Sequence, residues 1–435
     1  MKTQIYKDLD FYECLKKAQN ENLKITFCSE KNSDDTSFTS NYKYIQLENK
    51  MNKIVEINTQ YDYVIVESGI TWFELIKELD KHNYTIISCQ SGLTFSVGGS
   101  FCGNAHGKKT KTPMVKDTII DFEYIDGLGN KNKVNMYNDF FHAFPGSLGL
   151  LGFITNIKLK IQKKYGIILN VLQISLNNTS INYIEKLSKS KNVCMIIFQC
   201  SYFEKIKEIL LSVYYYNDCN NNIEPINIYS FNEHIKIYFS FIIIMFWIMS
   251  KFEIMDETRW NIEKNALLNL NNNIKCINVN NSFDIWTKLY VNNFKIIEFF
   301  FPIDNFVYCQ QIIMKIFSDN NMNVLSSGSR IIFEENINPN FLRFSQYASR
   351  EKPYISLVIN FIENKNNLEN VTKQIRENII KKNIKMTYHT TYSWNFTQED
   401  ILFMFPEFYN FIRIKNSSDP YNLFSNKFYE KYVLI

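Results

Sequence analysis

Residues 95–110 read FSVGGSFCGNAHGKKT, and they hold four of the 13 glycines in a chain of 435 residues. Ten of the 13 glycines lie between Gly92 and Gly152. Glycine adopts backbone angles that other residues avoid, and it lets a ligand approach the N–H groups of the main chain. The clustering therefore indicates either tight turns or a backbone surface that binds a ligand. The spacing fits neither a P-loop nor a GxGxxG motif, so these two nucleotide-binding motifs are excluded.

The composition is that of a globular protein. Hydrophobic residues make up 46% of the chain and charged residues 21%, and the net charge is +4. This charge is too small and too evenly spread to indicate a nucleic-acid-binding surface. The nine cysteines show no CxxC or Cys/His spacing, which favours reduced thiols in a cytoplasmic protein over disulfides or a metal site. The amino-terminal segment is charged and amphipathic, so we expect no secretory signal.

One apolar run raises the question of membrane contact. Residues Ile237–Ser250, IYFSFIIIMFWIMS, carry no charge and lie between two lysines. A membrane-spanning helix needs about 20 apolar residues, and this run is shorter. A buried helix explains it, and so does an apolar patch that holds the protein at a membrane or receives a lipid-linked substrate. The sequence leaves these alternatives open.

Local patterns predict an α+β fold. The segment TWFELIKELDKHNYTI predicts a helix that begins after the N-cap Thr71. IIDFEYIDGLGNKNKV predicts a hairpin with its turn at DGLGN, and GLLGFITNIKLKIQ predicts a returning strand. Beyond residue 166, strand-like and helical runs alternate, as in a mixed sheet with helices on one face. The strand-like runs are Ile167–Ile174, Val193–Gln199, Ile296–Phe301 and Tyr354–Phe361, and the helical runs are Ile181–Ser190, Phe306–Phe317 and Leu368–Ile380.

Several of these segments resemble a known family. Residues 95–109 resemble the second flavin-contacting segment in the FAD-binding domain of FAD-linked oxidases of the vanillyl-alcohol oxidase type (the PCMH type), where V-G-G is followed by small residues and H-G. The predicted hairpin, the returning strand and the helix after Thr71 resemble other parts of that domain. The tail resembles that of the sugar-lactone oxidases (L-gulonolactone and D-arabinono-1,4-lactone oxidases) and of the decaprenylphosphoryl-ribose oxidases. Their shared tail pattern is filled here by Met404, Phe405, Pro406, Lys415, Asp419, Pro420 and Phe424.

The resemblance implies a two-subdomain FAD-binding domain at 1–165, a substrate or cap domain at 166–385, and a segment at 386–435 that returns to the flavin. FAD would accept a hydride from a sugar. The resemblance also implies active-site roles for Lys108, Arg330, His389 and Tyr392. The implied FAD contacts are Ser29, Lys31, Asn32, Ser33, Gly92, Gly98, Gly99, Ser100, Gly103, Asn104, Ala105, His106, Gly107 and Ile154. From the residues alone, His106 is also explained as a buried core histidine.

The sequence departs from the family pattern at three places. The first flavin loop, normally G-x-G-(R/H)-S, reads FCSEKNSDD, and Lys31 or Asn32 stands where a covalently linked histidine would be. We therefore expect non-covalent FAD. The lysine of the family's HWAK segment reads as Tyr392, and the glutamate of its E-x-R contact reads as Gly328. The sequence thus identifies no proton acceptor, and the loss of a general base costs about 10²–10⁴-fold in rate.

Four functional hypotheses follow. The first is an FAD-dependent oxidoreductase that acts on the CH–OH group of a sugar lactone or a related sugar alcohol. The second is an enzyme that acts on a lipid-linked sugar, with peripheral membrane contact through residues 237–250. The third is a flavin-fold binding protein that has lost catalysis, and the fourth is a membrane-bound protein without flavin. The electron acceptor and the oligomeric state do not follow from the sequence.

Overall fold

The computed structural model describes residues 2–28, 38–90, 92–112, 114–217, 256–269, 277–279, 294–333, 353–362, 367–391 and 395–433. Five of the predicted site residues, Ser29, Lys31, Asn32, Ser33 and Tyr392, lie outside these ranges, as does the apolar run Ile237–Ser250. Within these ranges, no helix has both the length and the hydropathy needed to cross a membrane.

A small parallel sheet forms at the start of the chain. Its strands β1 (Lys2–Ile5), β2 (Lys24–Cys28) and β3 (Tyr44–Asn49) are arranged in the order β1-β3-β2. Helix α1 (Asp8–Glu21) packs on the sheet through Phe11, Leu15 and Ala18, which recur at helical spacing and are buried. Phe424 from the tail belongs to the same core.

A six-stranded antiparallel sheet follows. It comprises β4 (Ile54–Asn58), β5 (Tyr63–Glu67), β6 (Tyr84–Ile86), β7 (Ile119–Ile125), β8 (Lys131–Asn135) and β9 (Phe153–Lys163). The order is β4-β5-β9-β7-β8, and β6 pairs with β9. The predicted hairpin (β7 and β8) and returning strand (β9) are confirmed. Helix α2 (Trp72–Lys81) begins as expected after Thr71, whose side chain accepts the N–H of Glu74.

The glycine-rich segment forms a short helix where the sequence predicted only turns or a loop. Helix α3 (Val97–Cys102) begins after Ser96, whose side chain accepts the N–H of Gly99 at 3.2 Å. Gly98 allows this helix to lie against the end of β5, because a Cβ at Gly98 would be 2.7 Å from the Cβ of Ser68. At least one glycine of the segment, Gly98, is therefore required for close packing within the first domain.

The second half of the chain builds an eight-stranded sheet, and every pairing between its described strands is antiparallel. The order is β13-β10-β12-β11-β15-β16-β14-β17. The strands are β10 (Gly166–Ser175), β11 (Val193–Cys200), β12 (Glu208–Asn217), β13 (Ile277–Asn278), β14 (Phe294–Pro302), β15 (Asn323–Ile332), β16 (Tyr354–Ile362) and β17 (Thr387–Tyr388). The helices of this half are α4 (Asn178–Ser188), α5 (Asp256–Leu268), α6 (Phe306–Asp319) and α7 (Leu368–Ile375).

The two faces of this sheet have different partners. On one face, Phe198 packs against Phe306 and Phe361 against Phe317, so helix α6 covers that face. On the other face, Phe300 and Ile332 form a buried cluster with Met114 from the first half of the chain. The backbone after α3 also joins this sheet, because Thr110 N–H donates to the carbonyl of Cys194 at 3.1 Å. The residues just after the glycine-rich helix are thereby fixed against the second sheet.

The tail folds as three helices, α8 (Gln398–Met404), α9 (Phe408–Ser418) and α10 (Lys427–Val433). The tail then returns to β2, where the N–H of Ile25 donates to the carbonyl of Leu423 at 2.7 Å. The carbonyl of Ile25 in turn accepts the N–H of Ser425 at 3.1 Å. The end of the described chain is thus part of the first domain's core.

Candidate active site

Two histidines and a glutamate meet between the glycine-rich segment and the eight-stranded sheet. His106 follows α3, Glu298 lies in β14, and His389 comes directly after β17. Nε2 of His106 lies 2.8 Å from Oε1 of Glu298, and the N–H of His389 donates to the carbonyl of Glu298 at 2.9 Å. All three residues are buried. We refer to these three residues as the His–Glu–His cluster.

The register of the sheet places further residues on the face of this cluster. Glu298 and Gly328 pair with the same residue of β16, and Phe300 and Arg330 both pair with Ser356. Directly paired residues of an antiparallel sheet have side chains on the same face, and so do residues two apart in one strand. Gly328, Arg330 and Ser356 therefore share the face of Glu298. Phe300 is on it too, since its ring contacts that of His106 at 5.6 Å between centroids.

Burial and neighbouring charges determine the charge state of the cluster. Burial by itself raises the pKa of Glu298. The neighbouring His106, His389 and Arg330 outweigh that effect and lower the pKa to about 2. Burial lowers the pKa of His389 to about 4, with Glu298 opposing the change. At neutral pH, Glu298 is therefore a carboxylate and His389 a neutral imidazole. Nδ1 of His389 lies 2.7 Å from the hydroxyl of Thr391.

This face has both open space and polar groups without a partner. A Cβ at Gly328 would meet no described atom within 4 Å. The hydroxyls of Ser356 and of Thr387, which pairs with Phe300, are buried, and within the described ranges neither has a hydrogen-bond partner. A buried polar group without a partner costs about 1–3 kcal/mol. A ligand with polar atoms between the sheet and the glycine-rich segment would remove this cost.

Some of the predicted FAD contacts have internal roles in the first domain. The hydroxyl of Ser100 accepts Nε1–H of Trp72 at 2.8 Å and donates to a backbone carbonyl at 2.7 Å. The carbonyl of Ile154 accepts the hydroxyl of Ser68 at 2.5 Å. The carbonyls of Gly92 and Ala105 accept backbone N–H groups within the same domain. These groups thus have partners inside the first domain, and Ala105 directly precedes His106 of the His–Glu–His cluster.

Other predicted residues lie toward the sheet or the solvent. Gly99 is exposed on α3, and a Cβ at Gly103 would be 3.4 Å from Cγ2 of Thr391. Lys108 is half-buried, and its carbonyl accepts the N–H of Ile196 at 3.4 Å. Asn104 is buried in a left-handed conformation, with φ of 53°. The structure thus brings together His106, Arg330 and His389, which the sequence analysis placed in separate segments.

Glu298 is the site residue that sequence reasoning missed. It is the one acid in the apolar strand segment KIIEFFFP, Lys295–Pro302. An acidic side chain is almost never fully buried without a partner. The single carboxylate in this apolar strand was therefore the signal in the sequence that could have marked Glu298 as a site residue. Its partner could not be found from sequence, because His106 is 192 positions away.

Comparison with known proteins identifies the first domain. Residues 8–134 match the family profile of an FAD binding domain. A putative D-arabinono-1,4-lactone oxidase of Neurospora crassa is 29% identical over 137 residues, which cover 31% of this chain and 24% of that protein. Mouse L-gulonolactone oxidase is 24% identical over 144 residues, or 33% of each chain. L-Galactono-1,4-lactone dehydrogenase 2 of Oryza sativa is 23% identical over 145 residues, or 33% of this chain and 25% of that one.

The matched part of the chain thus spans a quarter to a third of the length of these relatives. Solved structures match over nearly the whole chain. Cholesterol oxidase from Brevibacterium sterolicum superposes with a TM-score of 0.72 at 12% identity, covering 99% of this chain and 94% of that one. 6-Hydroxy-D-nicotine oxidase from Arthrobacter nicotinovorans superposes with a TM-score of 0.64 at 11% identity, covering 98% and 91%. At such low identity the likeness concerns the fold alone.

The residues at the cluster fit FAD as the cofactor. The flavin ring has carbonyl oxygens and ring nitrogens, and these are suitable partners for the buried hydroxyl of Ser356, which shares the face of Glu298. His106 lies within the matched residues 8–134, and its side chain contacts Glu298 of the second sheet. Residues 8–134 therefore match an FAD binding domain, in a chain whose fold is similar to those of cholesterol oxidase and 6-hydroxy-D-nicotine oxidase and whose matched relatives are named for sugar lactones.

Proposed function

We propose that this protein is an FAD-dependent oxidoreductase that oxidises a CH–OH group of a sugar lactone or a related sugar alcohol. The observation that carries the proposal is the His–Glu–His cluster, which lies between the FAD-binding domain and the eight-stranded sheet. The relatives named above act on or are named for sugar lactones, and this supports the substrate class.

The residues on this face can carry out the proton transfer that such an oxidation needs. A bound FAD would supply the acceptor for the hydride that leaves the substrate carbon. The hydroxyl proton then needs an acceptor on the protein, and neutral His389 has the form required. The carboxylate of Glu298 favours the protonated form of His389 and so stabilises the charge that develops there. We assign Arg330 and Lys108 to binding of the sugar oxygens.

FAD binding involves fewer of the predicted residues than the resemblance implied. We assign Gly99, Gly103 and His106 to contact with the flavin, because they are exposed or face the second sheet. Ser29, Lys31, Asn32 and Ser33 stay predictions for the pyrophosphate, and Tyr392 stays a prediction for the active site. FAD is expected to be held without a covalent bond.

Two alternatives have less support than the proposed oxidation. The lipid-linked sugar hypothesis depends on the apolar run Ile237–Ser250, which lies outside the described residues. The hypothesis of lost catalysis depends on Gly328 and Tyr392, which stand where the family pattern has a glutamate and a lysine. A buried carboxylate such as Glu298 costs roughly several kcal/mol in desolvation unless it is well paired. A chain that keeps this group beside two histidines is better explained by a working site.

Anaerobic reduction of the bound flavin tests the proposal. The holoprotein is mixed with aldonolactones, alditols and free sugars, and at least one lactone or alditol should bleach the flavin absorbance. His389→Gln should slow this reduction by about 10²–10⁴-fold, whereas His142→Gln should not. His142 is a suitable control because it lies in the first domain and contacts the carbonyl of Met136 at 2.9 Å.

The pH dependence of the same reaction provides a second check. Because the pKa of His389 is lowered to about 4, the reduction rate should fall as the pH drops through that value. A preparation without flavin, or a flavin that no sugar reduces, would contradict the proposed function.

A further inference from the structure

Gln199 places a further polar side chain on the face of the His–Glu–His cluster. Phe198 packs against helix α6 and pairs with Ser329 of β15, so these two residues are on the face that the helix covers. Successive residues of a strand have side chains on opposite faces of a sheet. Gln199 is therefore on the other face, where the antiparallel pairing sets it opposite Gly328. This is the face that carries Glu298.

A row of residues on this face crosses four neighbouring strands. Glu298 of β14, Val358 of β16, Gly328 of β15 and Gln199 of β11 follow one another in this row. Neighbouring strands lie about 4.8 Å apart, so the row is about 14 Å long. A single sugar ring is shorter than the row. A sugar held at Glu298 and His389 therefore does not reach Gln199.

The far part of the row has buried polar atoms without a partner. Oε1 of Gln199 and Oδ1 of Asn360 are buried, and within the described ranges neither accepts a hydrogen bond. Asn360 is two residues after Val358 in β16, so it is on the same face, and its Nδ2 donates to the hydroxyl of Ser326 at 2.8 Å. Buried polar atoms in proteins are nearly always hydrogen-bonded. These two oxygens thus indicate a ligand that brings donors to them.

Space and charge define the kind of ligand. Gly328 lies on β15, between the strands of Gln199 and Asn360, and a Cβ at Gly328 would meet no described atom within 4 Å. The groups beside this space are neutral carboxamides and a serine hydroxyl. Arg330 pairs with Ser356, on the other side of the row from Asn360. Hydroxyl groups of a ligand can donate to the carboxamide oxygens, and a sugar ring carries several of them.

We propose that Gln199 and Asn360, on either side of Gly328, form a second sugar subsite. It binds the non-reacting ring of a substrate in which an aldonolactone or alditol carries a glycosidically linked sugar. The inference deepens the proposed function and rests on it in taking the His389 end of the row as the place of oxidation. A lipid-linked sugar would bring an apolar chain to the same subsite and would leave both carboxamide oxygens unpaired, which is costly.

Calorimetric titration tests the subsite without any turnover. The purified protein is reduced with dithionite under anaerobic conditions, so that no sugar is oxidised, and is titrated with sorbitol and with its glucosyl and galactosyl derivatives, maltitol and lactitol. At least one of the two derivatives should bind about tenfold more tightly than sorbitol, because each added hydrogen bond is worth about 3- to 10-fold in affinity. Equal dissociation constants for sorbitol and both derivatives would overturn the inference.

Two variants act on the subsite in different ways. Gln199→Met removes the acceptor at similar volume, and Gly328→Leu fills the space beside it. Each should bring the ratio of the sorbitol and disaccharide dissociation constants close to one. Gln310→Met is the matched control and should keep the wild-type ratio, because Gln310 is a buried glutamine of α6 that donates to the carbonyl of Ser201 at 2.9 Å. A wild-type ratio in both subsite variants would overturn the inference, and if one of them fails to fold, the other decides.

The subsite and the proposed oxidation fail in different experiments. A disaccharide preference that depends on Gln199, together with a flavin that no sugar reduces, would contradict the proposed function and leave the subsite standing. A flavin that a lactone or alditol reduces, together with equal binding of sorbitol and its glycosylated derivatives, would overturn the subsite and leave the proposed function standing.

Discussion

Gly107 and Gly328 differ in the space that surrounds them. A Cβ at Gly107 would lie 2.4 Å from the carbonyl oxygen of Cys89 and 2.6 Å from the hydroxyl of Ser88. A Cβ at Gly328 would meet no atom of the described ranges within 4 Å. The glycine of the H-G pair is thus required by packing inside the first domain. Gly328 instead leaves space beside Arg330 on the face of the cluster.

Alanine substitution at these two glycines should have different effects on stability. Gly107→Ala forces a backbone shift, and we expect it to lower the free energy of unfolding by about 1–3 kcal/mol. Gly328→Ala should change that free energy by less than about 1 kcal/mol. Urea unfolding followed by circular dichroism measures both. Equal losses in the two variants would show that packing does not explain Gly107.

The resemblance to the family predicts that the segment FCSEKNSDD is the first flavin loop, without the histidine to which a flavin would be covalently attached. In FCSEKNSDD, Lys31 or Asn32 stands at the position of the family's linked histidine. We therefore expect acid precipitation of the holoprotein to release all of its FAD into the supernatant, where its absorbance can be measured. Flavin that stays with the washed pellet would contradict this prediction and would point to attachment elsewhere.

At the scale of elements, the tail residues that match the family pattern have a structural role. Asp419 accepts the N–H groups of Leu423 and Phe424 at 2.9 Å and 2.7 Å, and it forms an ion pair with Lys415. Both side chains of that pair have 0% exposure. Gly127 of the β7–β8 turn abuts Asp419, since a Cβ there would be 2.5 Å from Oδ1. The pair therefore anchors the tail to the first domain.

Removing one partner of this buried pair should be far more costly than removing one partner of a surface pair. Asp419→Ala leaves Lys415 buried and unpaired, and we expect a loss of about 3–5 kcal/mol in unfolding free energy. Glu377→Ala breaks the exposed pair with Lys381, which joins residues four apart, and should cost under about 0.5 kcal/mol. Denaturant unfolding of both variants checks the contrast. Similar losses would mean that the tail is anchored by other contacts.

Some elements could be predicted from the sequence because their signals are local. Thr71 and Glu74 form the capping box of α2, and the DGLGN turn closes the hairpin within a few residues. Helix α3 was missed because glycine disfavours helices, and here packing against Ser68 outweighs that preference. Strand β15 was missed because four polar residues and a glycine, SSGSR at 326–330, interrupt its apolar residues. Gly328 and Arg330 are on the face of the site and Ser327 and Ser329 are on the opposite face, so neither face has an ordinary apolar pattern.

At the scale of the whole molecule, the site depends on contacts between distant segments. His106, Glu298 and His389 come from three parts of the chain: His106 belongs to the first domain, whereas Glu298 and His389 belong to paired strands of the eight-stranded sheet or follow directly after them. Sequence analysis found His106 and His389 by resemblance, but only the folded chain shows that Glu298 lies between them. The first domain alone therefore lacks Glu298 and His389, which the proposed proton transfer uses.

Because Glu298 contacts His106 of the first domain and His389 is hydrogen-bonded to Glu298, these two residues should make the whole fold sensitive to acid. The pKa of Glu298 is about 2 in the fold and 4.5 ordinarily, so its contribution to stability is present above pH 4.5 and is lost as the pH falls through 2. The pKa of His389 is about 4 in the fold and 6.5 ordinarily, so the unfolded chain binds that proton more readily. Its contribution is present above pH 6.5 and declines as the pH falls toward 4.

The two contributions have the same sign but different ranges, and substitution can separate them. Urea unfolding of the wild type at a series of pH values should show stability that declines continuously below pH 6.5. His389→Gln should flatten the upper part of the decline, and Glu298→Gln should flatten the part below pH 4.5. If both variants declined as steeply as the wild type in these ranges, acid sensitivity would have to arise outside the cluster.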